Sequence, residues 1–80
     1  MTLYDFNSLE EHQKAESVWQ GTFLADREEN GLILQLYGID TFYVEVCYDD
    51  RAGKILGFRS FHQVQQLTPY LAHIRFNGRD

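Results

Sequence analysis

Three turn signals divide the middle of the chain and constrain the fold more than any other feature. Asn30-Gly31 is a two-residue hairpin turn, because both residue types tolerate positive φ. Gly38-Ile39-Asp40 reads as a second turn, and Asp50-Arg51-Ala52-Gly53 as a third, a type I turn followed by a glycine bulge. Between the turns the residues alternate with period two. Leu32, Leu34 and Leu36 alternate with Ile33, Gln35 and Tyr37; Phe42, Val44, Val46 and Tyr48 alternate with Tyr43, Glu45 and Cys47. Ahead of the first turn, Trp19, Gly21, Phe23 and Ala25 fall on one side of a strand, and Ile55 to Phe61 supplies a fourth. The expected sheet is a four-stranded antiparallel meander.

Turn chemistry also sets the expected register, since a one-residue slip carries every side chain to the other face. A tight turn at Asn30-Gly31 places Glu29 opposite Leu32 and Ala25 opposite Leu36, with Trp19 and Phe23 on the leucine face. A bulge at Gly53 pairs Asp50 with Lys54, Tyr48 with Leu56, Val46 with Phe58 and Glu45 with Arg59. Together these put leucines and valines on one apolar face, with Leu34, Val44 and Val46 in a helix-covered core. The other face then carries Ile33, Gln35, Tyr37, Tyr43, Glu45, Cys47, Ile55, Gly57, Arg59 and Phe61.

Helices are expected at both ends. Ser8-Leu9-Glu10-Glu11 has the capping-box spacing, with Phe6 ahead of it and a thin apolar stripe of Leu9, Ala15 and Trp19 behind. After the fourth strand, Val64, Leu67, Leu71 and Ile74 recur at helical spacing, but a proline inside a helix costs about 3 kcal/mol. Thr68-Pro69 therefore reads as N-cap and first helical residue. It follows a turn or helical piece at Gln63–Leu67, begins a short helix from Pro69 to about Ile74, and leaves a flexible tail at about 77–80. The expected architecture is α+β, one domain over 1–80, in the order α-β-β-β-β-α with both helices packed on one face.

Composition narrows the function classes. A chain of 80 residues with one cysteine forms no internal disulfide and no cysteine-based zinc site. No apolar run approaches the roughly 20 residues of a membrane span, and MTLYDFNSLEEHQ has neither the basic start nor the apolar stretch of a signal peptide. The expectation is a reduced, cytoplasmic protein. Charge is uneven: residues 1–50 hold eleven acids against Lys14 and Arg27, a local net charge of −9, whereas residues 51–80 carry +4.

Catalytic signatures are missing. The six glycines form no phosphate-binding loop, and Ser8, Ser17 and Ser60 lack the context of an activated nucleophile. His12, His62 and His73 have no spacing suited to a metal, and nothing in the pattern sets one beside Cys47. Glu10-Glu11, Glu28-Glu29 and Asp49-Asp50 sit at a helix start or in turns, where solvated acids are expected. The reading therefore assigns no catalytic residue, no metal and no cofactor.

Three roles remain. The tyrosine-rich face, through Tyr37, Tyr43, Glu45, Arg59 and Phe61, has the composition of an interface core, which suits a homodimer or another protein partner. Residues 1–7, with Leu3, Tyr4 and Phe6, could instead fold back over that face. A small enzyme or ligand binder would need a pocket between helix and sheet near Trp19, Tyr48 and His62. A single-stranded nucleic-acid binder would use Arg59, Arg75 and Arg79 with Phe58, Phe61, Tyr70 and Phe76. A pI of about 5.0 argues against that role.

Overall fold

The chain enters the fold through two short helices rather than one. The structure, a computed structural model, describes residues 1–62, 69 and 70. Helix α1 spans Leu3–Asn7 and α2 spans Glu11–Trp19. Thr2 caps the first: its hydroxyl accepts from the Asp5 N–H at 3.1 Å while the Asp5 carboxylate accepts from the Thr2 N–H at 3.0 Å. Ser8, expected to start a helix, instead closes α1 by donating its hydroxyl to the Asp5 carbonyl at 2.8 Å. Its side chain is thereby committed to the preceding helix, and α2 starts at Glu11 after a Glu10 N–H bond to Gln13 Oε1. The buried stripe of α2 is Ala15 and Val18; Trp19, expected on it, points outward.

Four strands follow, β1 (Thr22–Glu29), β2 (Leu32–Ile39), β3 (Phe42–Asp49) and β4 (Lys54–Phe61), in one antiparallel sheet in chain order. Asn30 and Gly31 have φ of 55° and 80°, as a twisted two-residue hairpin demands. Glu29 faces Leu32 and Ala25 faces Leu36, as the turn dictates. Glu45 also faces Arg59, and Val46 faces Phe58.

Elsewhere the register differs from expectation in three places. The second turn is Asp40-Thr41, tightened by Asp40 at φ 51°, so Ile39 faces Phe42 and Leu36 faces Glu45. That shift, an odd number of residues, puts the leucines of β2 on the face of Tyr43, Glu45 and Cys47, and the valines of β3 on the face of Tyr37. An irregularity between Phe23 and Ala25 turns Phe23 away from the leucines to face Tyr37. On β4 the irregularity lies at Leu56, so Asp49 faces Lys54 and Tyr48 faces Ile55.

The sheet consequently carries a core on each side. On the helix face, Phe6 and Val18 pack on Ile39, Phe42, Val44 and Val46. The Phe6 ring lies 5.8 Å from that of Phe42 and 6.3 Å from that of Phe58. Residues 1–7 therefore cover this face and not the one bearing Glu45. On the leucine face, Ala25, Leu34, Leu36 and Phe61 pack with Tyr70. Leu34, expected beside Val44 and Val46, belongs to this second core. The expected helix from Pro69 to about Ile74, the turn at Gln63–Leu67 and the tail at about 77–80 lie outside the described residues, apart from Pro69 and Tyr70. No helix among the described residues is long and apolar enough to cross a membrane.

Candidate functional site

Glu45 is the polar centre of the leucine face. It sits in the middle of β3, only 8% exposed, where an unpaired carboxylate would be costly. Three donors compensate. Arg59 Nε, directly across on β4, lies 3.2 Å from Oε1; the Tyr70 hydroxyl donates to Oε2 at 2.6 Å. Arg27 Nη2 reaches from β1 to 3.6 Å of Oε2, while its Nη1 binds Glu29 at 3.1 Å.

The rings of this face serve as seats for the cations. The Arg27 guanidinium lies 5.1 Å over the Tyr70 ring and that of Arg59 lies 5.0 Å over Phe61, which stacks on Tyr43 at 5.6 Å. Burial alone would raise the pKa of Glu45. The Tyr70 and Arg59 hydrogen bonds and the charges of Arg59 and Arg27 outweigh it and hold the carboxyl below its ordinary value. The Tyr70 phenol is pushed upward, first by burial and then by the bond to Glu45 and its negative charge. This cluster ties β1, β3, β4 and Tyr70 together.

Of the five residues expected at an interface, Tyr43, Glu45, Arg59 and Phe61 do share one face, but Tyr37 projects from the other. Phe61 and Glu45 are buried within the chain, Tyr43 is half-buried, and only Arg59 is open to solvent, its side chain 49% exposed. The aromatic rings proposed for base stacking are likewise engaged, with Phe61 and Tyr70 buried and Phe58 packed on Phe6. Arg75 and Arg79 lie outside the described residues. Among the described residues no pocket is lined by the expected trio Trp19, Tyr48 and His62 together. Trp19 lies next to the α2–β1 junction, which touches Gly38 and Ile39, whereas Tyr48 pairs with Ile33 toward the other end of the strands. Among the described residues no group of His, Cys, Asp or Glu is arranged to hold a metal.

Two other surfaces stand open. On the helix face, beside edge strand β1, Phe23 is 50% exposed and meets Tyr37 edge-on at 5.5 Å. Trp19, four positions earlier across the α2–β1 junction, is 63% exposed. On the leucine face, a groove of about 410 Å³ runs between the Glu29-Asn30 corner and Arg59, lined by Leu32, Leu34, Cys47, Leu56 and Gly57. Sequence reasoning missed both, because each involves a bulge: Leu24 redirects Phe23, and Leu56, skipped in the β3–β4 pairing, lines the groove instead of facing Tyr48. It also missed Tyr70, for which the only signal was an inward charge at Glu45 needing donors. Comparison with protein-family models, with curated proteins and with solved structures finds no match for the chain.

Proposed function

We propose that the protein is a non-catalytic interaction module that pairs with a second copy of itself through the Trp19–Phe23–Tyr37 surface. One observation carries this reading: the chain's only tryptophan and Phe23 are left more than half or half exposed, although such residues dominate the energetics of interfaces. Their place beside an edge strand supports it, since strand edges invite further pairing. So does size. A chain of 80 residues buries a limited share of its surface alone, and a second interface adds to that burial. Tyr37 thus keeps the role expected of it, while Tyr43, Glu45 and Phe61 turn inward to Tyr70. In this reading the protein is cytoplasmic, and a short helix from Pro69 follows β4, supported by the burial of Tyr70 against the leucine face. With α1 and α2 the order becomes α-α-β-β-β-β-α rather than the expected α-β-β-β-β-α, and the last helix lies across the sheet from the first two.

The test uses Trp19 as its own reporter. Sedimentation at about 100 µM, a concentration that populates any interface tighter than a weak encounter, should give a dimer. Indole emission should shift to shorter wavelength as concentration rises through the same range. Phe23→Glu should return the protein to a monomer with its circular dichroism unchanged. A wild-type monomer whose emission stays that of a solvated indole overturns the proposal.

A further inference from the structure

We infer that the groove on the leucine face is a binding site for a small aliphatic monocarboxylate. Its tail would lie on Leu32, Leu34 and Leu56, and its carboxylate on Arg59. This site lies on the opposite side of the sheet from the surface proposed for self-association.

The argument begins with shape. A space of about 410 Å³ falls within the range of small-molecule pockets. Its floor includes Gly57, where a side chain would meet nothing within 4 Å among the described residues. The absence of a Cβ there leaves the floor of the groove clear. No positive φ requires a glycine at this position, since the positive-φ glycines are Gly31 and Gly53. The wall is apolar and open, with Leu56 47% exposed at its rim.

Charge then selects the ligand. The two acids that line the groove are both engaged: Glu29 by Arg27 at 3.1 Å, and Glu45 by Arg27, Arg59 and Tyr70. Arg59 spends Nε on Glu45, and its two terminal nitrogens make no hydrogen bond among the described residues. Seated over Phe61, its guanidinium is held in place at the mouth of an apolar trough. A planar fork of this kind matches a carboxylate in two parallel bonds. A dianion such as a phosphate monoester fits poorly, because Glu29 and Glu45 stand close by, both terminal nitrogens of Arg27 are committed to them, and its Nε, which has no partner, is buried. A neutral tail with a single negative charge satisfies both the floor and Arg59.

Cys47, the chain's one cysteine and part of the groove lining, reports occupancy directly. Its alkylation by iodoacetamide is followed in the wild-type protein with decanoate, kept below its micellar concentration, and with decanol. Decanoate should slow alkylation saturably, by about tenfold at about ten times its Kd, as exclusion by a bound ligand requires. Decanol should require much higher concentrations, and Arg59→Gln should erase the difference between the two. Gly57→Leu, which fills the floor, should remove the protection altogether. Equal protection by decanol overturns the assignment of Arg59, and an unchanged rate with decanoate overturns the site. Protection that survives in a folded Gly57→Leu protein also overturns it, by placing the ligand elsewhere. The wild-type comparison of acid with alcohol decides the matter even where a variant folds poorly.

Discussion

The hydroxyl of Tyr70 donates a 2.6 Å hydrogen bond to Oε2 of Glu45, joining residues 25 positions apart in a buried setting. The bond answers the main electrostatic problem of the fold, a carboxylate in the central region of the sheet with little access to water. It also fixes Tyr70 to the leucine face, where its ring seats Arg27.

Removing that hydroxyl alone tests how much the bond contributes. Tyr70→Phe retains the ring and its packing but leaves Glu45 one donor short. Hydrogen bonds to charged groups contribute about 1.5–3 kcal/mol, and the loss in urea-unfolding free energy should fall in that range. A loss under about 0.5 kcal/mol, the usual size of surface effects, would mean that Arg59 and Arg27 suffice.

Acid should undo the same cluster. The Glu45 pKa is lowered on folding from an ordinary value of 4.5, so its stabilisation is present above that pH and lost as pH falls through the folded value. Tyr70 has the opposite sense: its pKa rises on folding from 10.0, so its contribution is present below pH 10 and lost above it. The contribution of this cluster to the thermal midpoint should therefore hold level between these limits and decline outside them. The gap between wild type and Glu45→Gln should close as pH drops below 4.5. A gap that stays constant down to about pH 3 contradicts the linkage.

Two cores on opposite faces make a prediction about additivity. Phe6 and Leu36 belong to different clusters, so Phe6→Leu and Leu36→Val, each costing about 1 kcal/mol, should add within about 0.5 kcal/mol in the double variant. Phe6→Leu with Phe42→Leu should not add, because those rings touch. Coupling between Phe6 and Leu36 as large as that between Phe6 and Phe42 would argue for a single core.

The contrast between these pairs marks where the sequence could be read. Alternation and the Asn30-Gly31 turn place four antiparallel strands and set the β1–β2 register near the turn, because local chemistry decides both. The Glu45–Arg59 pair follows from the third turn even though the irregularity lies at Leu56 rather than at Gly53, since the strands are back in the expected register by Val46 and Phe58. The second turn was not legible in the same way. Gly38, the residue best suited to turning, lies within β2, while Asp40 takes the left-handed conformation. That choice inverted two strands relative to the other two, and it separated Tyr37 from Tyr43. The helical start was ambiguous for a similar reason: Thr2 and Ser8 both carry capping hydroxyls, and only packing of Phe6 on Phe42 and Phe58 shows which one is used. Tyr70 could not be placed from periodicity, because its partner is a single buried carboxylate far away in sequence.

Gly21 and Gly57 offer the sharpest paired test of the backbone. At the α2–β1 junction the Gly21 N–H bonds the Val18 carbonyl at 2.9 Å, folding the chain directly from helix into strand. A Cβ on Gly21 would lie 2.6 Å from the Gly38 carbonyl oxygen and 3.0 Å from Ile39 Cγ1. The oxygen belongs to the backbone of β2 and cannot turn aside, so Gly21→Ala must push α2 away from the sheet and loosen Val18. Overpacking of this kind costs about 1–3 kcal/mol. Gly57→Ala adds the same methyl into open space on β4 and removes the entropic penalty of glycine in a strand, a gain of about 0.5–1 kcal/mol. Thermal denaturation of the two alanine variants should therefore bracket the wild-type midpoint, Gly21→Ala below and Gly57→Ala above. A Gly21→Ala protein as stable as wild type would mean that α2 does not meet β2 where Gly38 and Ile39 place it.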